Sequence, residues 1–243
     1  MEKFNDYFNE KFEEPLEQEE LHIVVLGKGG EEGTFAELAE TVANKKGIKY
    51  TLVNVEEAWI SQKDVEIGSV TIQNSDGKDA TIEIETHNSI VFVRAGAIQT
   101  LSAQAIVSSM QVIGFFLVND LESMLACDNK MSNVIMLERN NIPTPRSSIL
   151  SNKKSIEDAH NRVGGKFPVV LKTLTGTQGV GVSKVNDMAS LVSVAQSLWK
   201  FNAQILIQEY FEMDSDVRTL VVDGKIIGAA ERLRQDDKDF RNN

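Results

Sequence analysis

The sequence predicts an α/β protein in two parts: an open N-terminal α/β domain, then a domain that mixes strands and helices in α+β fashion. Three observations lead there. From Leu21 the pattern runs strand, Gly-rich turn, helix, strand, which opens a sheet with crossover helices. Between Cys127 and Pro145 a capped helix and two prolines, Pro143 and Pro145, interrupt that pattern. Beyond them, apolar strands return around a hairpin of Gly, Thr and Gln at residues 167–182.

Residues 1–20 hold eight carboxylates and two lysines and read as an acidic tail; Phe4, Tyr7, Phe8 and Phe12 at helical spacing could equally make it a short amphipathic helix. The first domain, 21–124, starts with strand Leu21–Leu26, turn Gly27–Gly30, helix Phe35–Lys46 and strand Tyr50–Val55. The glycines after the first strand match neither the dinucleotide fingerprint nor the P-loop, so a tight turn explains them as well as a phosphate does. Val65–Gln73 and Ala80–Glu85 alternate apolar and polar residues around Asp76-Gly77, a hairpin signal. Strand Ser89–Val93 ends at Arg94-Ala95-Gly96, followed by helix Ile98–Met110, strand Phe115–Val118 and a short helix from Asp120. In the second domain, 125–243, Asp128 is the expected N-cap of a helix to about Asn140. Strand Ser147–Leu150, helix Ser155–Val163, the Gly-rich hairpin, helix Met188–Phe201, and strands Gln204–Tyr210, Val217–Val222 and Lys225–Arg232 complete it.

Composition excludes several classes. With 42% hydrophobic and 25% charged residues over 243 positions, the chain can bury a core. A net charge of −11 argues against direct nucleic-acid binding, which needs clustered Lys and Arg in excess of carboxylates. No run reaches the roughly 18–20 apolar residues of a membrane span, and no secretory signal is recognisable, so a cytoplasmic protein is expected. Cys127 is the single cysteine, without an adjacent His or basic cluster to activate it. His22, His87 and His160 are scattered singly, and no metal ligand is assigned.

Chemistry concentrates in the hairpin Phe167–Val182. Backbone N–H groups of its glycines can meet phosphate oxygens, and Lys172, near the end of the first strand, supplies a point charge to the same anion. The missing Gly-Lys-Ser/Thr ending, and the strand after Gly179, remove a P-loop. The apolar strand ending Gln208-Glu209-Tyr210 has what an adenine pocket needs: apolar walls, edge backbone groups and a carboxylate for the exocyclic amine. Read alone, it is also a core strand with polar ends.

The order Asp128-Asn129-Lys130, Pro143-Thr144-Pro145, Val170-Leu171-Lys172, Gly176-Thr177-Gln178-Gly179-Val180-Gly181, Gln208-Glu209-Tyr210, Asp216-Val217-Arg218 and Phe240-Arg241-Asn242-Asn243 resembles the ATP-grasp ligases. More narrowly it is similar to the RimK group, which adds glutamate to the C-terminus of a ribosomal protein. The resemblance is close over about 125–243 and looser before. It implies an ATP-grasp α+β domain, with a small lid subdomain at about 125–201 and the start of a large subdomain at 202–243. Lys130 and Lys172 would hold the nucleotide phosphates, and Gly176, Thr177, Gln178, Gly179 and Gly181 would form the lid. Gln208, Glu209 and Tyr210 would form the adenine hinge, and Asp216 would take the ribose hydroxyls. Arg241, Asn242 and Asn243 would lie by the phosphates and acceptor, with Arg241 and Asn243 in catalytic positions. Arg94 and Arg232 are candidates for a substrate carboxylate and Arg218 for phosphate; structural ion pairing would explain each as well.

The implied cofactors are ATP and Mg²⁺, and the implied partners are glutamate or another amine and an acceptor protein tail such as a ribosomal protein's; a homo-oligomer is left open. The family's magnesium ligands, an acidic residue and then Glu-x-Asn, are expected downstream of Asn243, so the domain is expected to be truncated before its last strands. Asp236, Asp237 and Asp239 read as a solvated loop rather than a replacement. Two functions remain from sequence: an ATP-dependent carboxylate–amine ligase working through an acyl phosphate, whose acceptor could also be a carrier protein or small molecule, and a truncated ATP-binding or regulatory module without catalysis.

Overall fold

Strand β1 (His22–Gly27) is almost wholly buried: it is paired in parallel along both edges, and sheets of this kind are covered on both faces, which its apolar run suits. In the computed structural model that places it, residues 21–28, 34–74, 81–176 and 181–233 are described. The chain divides into two compact units, Met1–Leu125 and Ala126–Asn243. The acidic tail, the turn at 75–80, Arg234 and the Asp236–Asn243 stretch lie outside the described residues.

In the first unit, α1 (Thr34–Lys46) connects β1 to β2 (Lys49–Asn54). Then come the short strands β3 (Ala58–Trp59) and β4 (Val65–Glu66), β5 (Ser69–Asn74), β6 (Thr81–Glu85), β7 (Ser89–Val93), α2 (Leu101–Ile113), β8 (Phe116–Val118) and α3 (Leu121–Asp128), whose last turn belongs to the second unit. The parallel sheet has the order β2-β1-β7-β8, while β3, β5 and β4 form an antiparallel sheet in which β6 also pairs with β5. Ala103, Val107 and Met110, on one face of α2, meet Val24, Leu26, Val91 and Val93 of the parallel strands and Ile72 and Ile84 of the antiparallel ones in one core.

Two expectations are corrected here. Residues 65–73 do not form one strand: Gly68, at φ +81°, turns the chain between β4 and β5, which then pair antiparallel. Helix α2 does not start at Ile98; residues 95–98 make a 3₁₀ turn, and Thr100 caps α2 by accepting from the Ala103 N–H.

The second unit comprises α4 (Lys130–Arg139), β9 (Ser147–Leu150), α5 (Ile156–Arg162), β10 (Val169–Thr173), β11 (Val182–Val185), α6 (Met188–Lys200), β12 (Ile205–Glu209), β13 (Ser215–Val222) and β14 (Lys225–Leu233). Its four-stranded sheet has the order β11-β10-β12-β9 with every neighbouring pair antiparallel. Strand alternation gives this sheet two unlike faces. Val169, Leu171, Val185, Ile205, Ile207 and Leu150 point to one side, where Ile156 and Ala159 of α5 and Leu191 and Ala195 of α6 complete a core. Truncating fully buried Leu171 to Ala there would cost about 3 kcal/mol. The other side carries Lys172, Lys184, Gln208 and Ser147 beside Val170 and Leu206.

Residues 204–232 therefore do not begin a single sheet. β12 sits between β10 and β9, whereas β13 and β14 form a separate two-stranded ribbon, so the break falls after Glu209 rather than at 201/202. The reason is pairing: β12 finds its partners on both edges among strands earlier in the chain.

Candidate functional site

Lys172 is half-buried on the polar face of the β11-β10-β12-β9 sheet, where its Nζ donates to Gln208 Oε1 at 2.6 Å. Gln208, 8% exposed, donates in turn from Nε2 to Ser147 Oγ at 2.8 Å, so one polar chain crosses β10, β12 and β9. Burial pushes the Lys172 ammonium below its ordinary value, and nearby Lys130 acts in the same direction. Lys130 is itself lowered by burial, with Asp128 partly opposing.

Lys130 arrives there through helix capping. The N-cap of α4 is Asn129, whose Oδ1 accepts from the Met131 and Ser132 N–H groups at 3.1 Å, and not Asp128 as expected from sequence. Asp128 instead ends α3, and its Oδ1 accepts from the Gly176 N–H at 3.2 Å. Lys130 holds the same residue from its carbonyl side: its Nζ donates to Gly176 O at 2.8 Å, and its N–H to Leu174 O at 2.9 Å. The stretch 128–130 thus grips the start of the glycine loop.

The two ends of that loop need glycine. Gly176 has φ +100° and Gly181 φ +75°, and a Cβ on Gly181 would stand 2.6 Å from Thr173 Cγ2. The Thr173 N–H donates to Gly181 O at 3.1 Å, which pins the two arms together at the loop's base. Thr177, Gln178 and Gly179 lie outside the described residues, as do Arg241, Asn242 and Asn243.

Glu209 stands differently from expectation. By alternation its side chain leaves the sheet on the face opposite Lys172 and Gln208, and there Arg146 holds it. Glu209 Oε1 accepts from the Arg146 N–H at 2.6 Å and Oε2 from Nε at 2.7 Å, with Nη2 2.6 Å from Oε2. The Arg146 bonds hold the Glu209 carboxyl below the usual carboxylate range. The expectation that this carboxylate takes an exocyclic amine is therefore corrected: toward the polar face, Glu209 offers main chain only.

Tyr210 follows, with Lys184 Nζ 3.9 Å from its ring centroid. Asp216 lies opposite Arg232 across β13 and β14, and the two make a bidentate pair with both bonds at 2.7 Å. Arg218 is exposed on β13 opposite Ala230. Arg94 belongs to the first unit, its guanidinium 4.2 Å from the Phe35 ring centroid. Cys127 is exposed on α3. The structure thus brings together Lys130, Lys172, Gly176, Gly181, Gln208 and the Glu209–Tyr210 main chain. It does not bring the Glu209 carboxylate into that group.

Sequence reasoning missed Lys184, Arg146 and the capping role of Asn129. The hairpin register offered a signal for Lys184, since its pairing with Val170 puts it on the same face as Lys172. Arg146 offered none, because its partner is 63 residues away.

The arrangement is suited to an anion: two half-buried ammonium groups and a polar relay converge at the base of a glycine loop. Among the described residues, no group of three or more His, Cys, Asp or Glu could hold a metal ion, and no helix is long and apolar enough to cross a membrane.

Residues 127–243 match the family described as the RimK-like ATP-grasp domain. A probable alpha-L-glutamate ligase 2 from Pseudoalteromonas atlantica is 33% identical over 144 residues, 58% of this chain and 48% of that protein. A probable alpha-L-glutamate ligase from Vibrio vulnificus is 31% identical over 163 residues, 66% of this chain and 53% of that one. The chain spans about half the length of these curated relatives. Among solved structures, a RimK domain ATP-grasp protein from Sphaerobacter thermophilus aligns with a TM-score of 0.63 at 20% identity, covering 87% of this chain and 73% of that one. D-alanyl-alanine synthetase A from Vibrio cholerae aligns with a TM-score of 0.64 at 17% identity, covering 90% and 68%. The chain has the α/β fold of the ATP-grasp ligases, and its residues 127–243 are similar to a RimK-like ATP-grasp domain.

Proposed function

We propose that the chain carries the ATP site of a carboxylate–amine ligase that works through an acyl phosphate and uses glutamate as its amine. The observation that supports this best is the pairing of Lys172 with nearby Lys130, both lowered by burial, with Lys130 bonded to the Gly176 carbonyl at the start of the glycine loop. A nucleotide triphosphate relieves both cations at once.

In this reading the two ammonium groups bind phosphate oxygens, and the 176–181 loop closes over them to keep water from a hydrolysable intermediate. The main chain of 208–210 faces the adenine edge. Asp216, its carboxylate steered by Arg232, meets the ribose hydroxyls, and Arg241, Asn242 and Asn243 serve the phosphates and acceptor. A substrate carboxylate attacks the γ-phosphorus and ADP departs. The glutamate α-amine then attacks the acyl carbon, phosphate leaves, a proton is released and an amide remains. Charge builds on the transferring phosphoryl oxygens, so fixed cations contribute directly to the rate. Magnesium, which the fold family implies, finds no ligand set among the described residues.

Glutamate as the amine rests on the curated relatives described as probable alpha-L-glutamate ligases. A protein C-terminus, such as a ribosomal protein's, is the acceptor we favour. Intact-mass measurement of such acceptors incubated with the protein, ATP and glutamate tests both, with increments of one glutamate residue expected. ATP binding without any increment would keep the nucleotide site and reject the ligase reading.

A further inference from the structure

Arg146 and Glu209 share more bonds than an ordinary surface ion pair. The Arg146 N–H and Nε donate to the two carboxylate oxygens separately, Nη2 shares one of them, and the Glu209 N–H donates to Arg146 O at 3.0 Å. Both oxygens and one main-chain donor of Glu209 are thereby tied to a single residue. The Glu209 side chain is 16% exposed and the Arg146 side chain 62% exposed, so the arginine covers the carboxylate from the solvent side. The guanidinium also has a reserved seat. Gly164, at φ +110°, lies so close that a Cβ there would stand 2.6 Å from Nη2 and 2.9 Å from Cζ. Arg146 directly precedes β9, whose Ser147 is bonded to Gln208 on the other face, so the segment 146–147 grips β12 from both sides.

We infer that Arg146 is a positioning residue for nucleotide selection: by occupying the Glu209 carboxylate on the far face of the sheet, it leaves only the main chain of residues 208–210 to read the base. This inference rests on the ATP-site reading above. A main-chain carbonyl accepts from the exocyclic amine of adenine and meets the 6-oxo group of guanine as acceptor against acceptor. Discrimination between the two bases then depends on how firmly that main chain is held. A freed Glu209 would let the end of β12 shift and the selection relax. Arg146 itself touches neither base nor phosphate, so its removal acts on base selection through Glu209.

Isothermal titration of the full chain with ATP and, separately, with GTP tests this, for wild type, Arg146→Ala, Arg146→Lys and Glu209→Gln, with a thermal melt of each. Arg146→Ala is expected to weaken ATP about tenfold while GTP changes less than about twofold, so that the ratio of the two affinities narrows. Arg146→Lys should fall between, because an ammonium cannot reproduce the planar fork. Glu209→Gln should narrow the ratio as Arg146→Ala does. Unchanged ATP affinity and an unchanged ATP-to-GTP ratio in Arg146→Ala would overturn the inference. Equal losses for both nucleotides would overturn it too, since they would mark a general structural role. A wild-type protein that binds neither nucleotide overturns the ATP-site reading itself and this inference with it.

Discussion

Each unit buries a nitrogen base in its four-stranded sheet, and the two bases are treated in opposite ways. His22, on β1 of the parallel sheet, is 2% exposed, and its Nε2 is 2.8 Å from Thr51 Oγ1. Burial, with Lys49 adding to it, lowers its pKa to about 4, so at neutral pH it is an uncharged core residue. Lys172, on β10 of the antiparallel sheet, is also lowered by burial, but it has a second ammonium for a neighbour and the base of a glycine loop beside it. The difference follows from topology. A parallel sheet packed on both faces suits a neutral side chain with a local partner, whereas a sheet with one polar face can hold a cation ready for an anion. One base is kept neutral by its surroundings, and the other keeps a cation as its neighbour.

The largest effect should come from Lys172. Lys172→Met keeps the apolar stem and removes the charge, and ATP affinity should fall about 100-fold, the ~3 kcal/mol of a charge-assisted contact. The melting temperature should hold or rise, because a dehydrated ammonium is lost from the folded state. Calorimetric titration with ATP reads the first and a thermal scan the second. Unchanged affinity would reject the phosphate role and with it the contrast drawn with His22.

Lys130→Ala comes next. A loss of about tenfold in ATP affinity is expected, smaller because the side chain is more open to water. Its removal should also bring Lys172 back toward the ordinary lysine value, since Lys130 is one of the two causes of that shift. The double variant should therefore lose less than the product of the two single losses.

Much of this contrast was legible in the sequence, and the unread parts have physical reasons. Ser89–Val93 and Ser147–Leu150 were read with the bounds they have, because apolar residues there are bracketed by turn formers. Lys172 stands out in the sequence because it lies near the end of a strand beside a glycine-rich hairpin, whereas Lys130 and Gln208 become candidates only through the resemblance to the ATP-grasp ligases. Asp128 and Asn129 were confused because both are good N-caps, and only the end of α3 decides which is free to cap α4. The orientation of Glu209 follows from strand register and from a partner 63 residues away, and neither is visible in the local sequence of β12. The strand break at Gly68 was hidden because a single glycine inside an alternating run reads as a weak point rather than a turn.

Acidity separates the two bases further. A base whose pKa is lower in the folded than in the unfolded state binds fewer protons when folded, so stability rises with pH between the two values and is lost as pH falls through them. For His22 that window is 6.5 down to about 4, and the melting temperature should drop by roughly 5 °C across it beyond what carboxylate titration contributes. His22→Gln should flatten that part of the profile; an unchanged slope would mean that another group carries it. For Lys172 the window lies below 10.5, and its readout is binding. Phosphate stabilises the charged lysine, so ATP affinity should decline as pH rises through the lowered lysine range, before an ordinary lysine would lose its proton. A titration series at rising pH, with Lys172→Met as the flat control, checks this.

The smallest effect probes how Lys130 is aimed. Asn129 holds the start of α4 by accepting from two backbone N–H groups, and Lys130 is the first residue of that helix. Asn129→Ala removes the cap at about 1 kcal/mol, which in a protein of this size is a loss of roughly 2–4 °C in melting temperature. ATP affinity should fall only about twofold, because the Lys130 N–H remains bonded to Leu174 O and its ammonium to Gly176 O. Asn129→Ser preserves a side-chain acceptor and should restore both values. Asn129→Asp also preserves the cap, but it sets a second carboxylate beside Asp128 where phosphate is to bind, so stability should recover while affinity does not. That split separates helix capping from charge at the site. If Asn129→Ala lowered affinity as far as Lys130→Ala, the helix start rather than the ammonium would be setting the phosphate contact, and the parallel between Lys130 and Lys172 would fail.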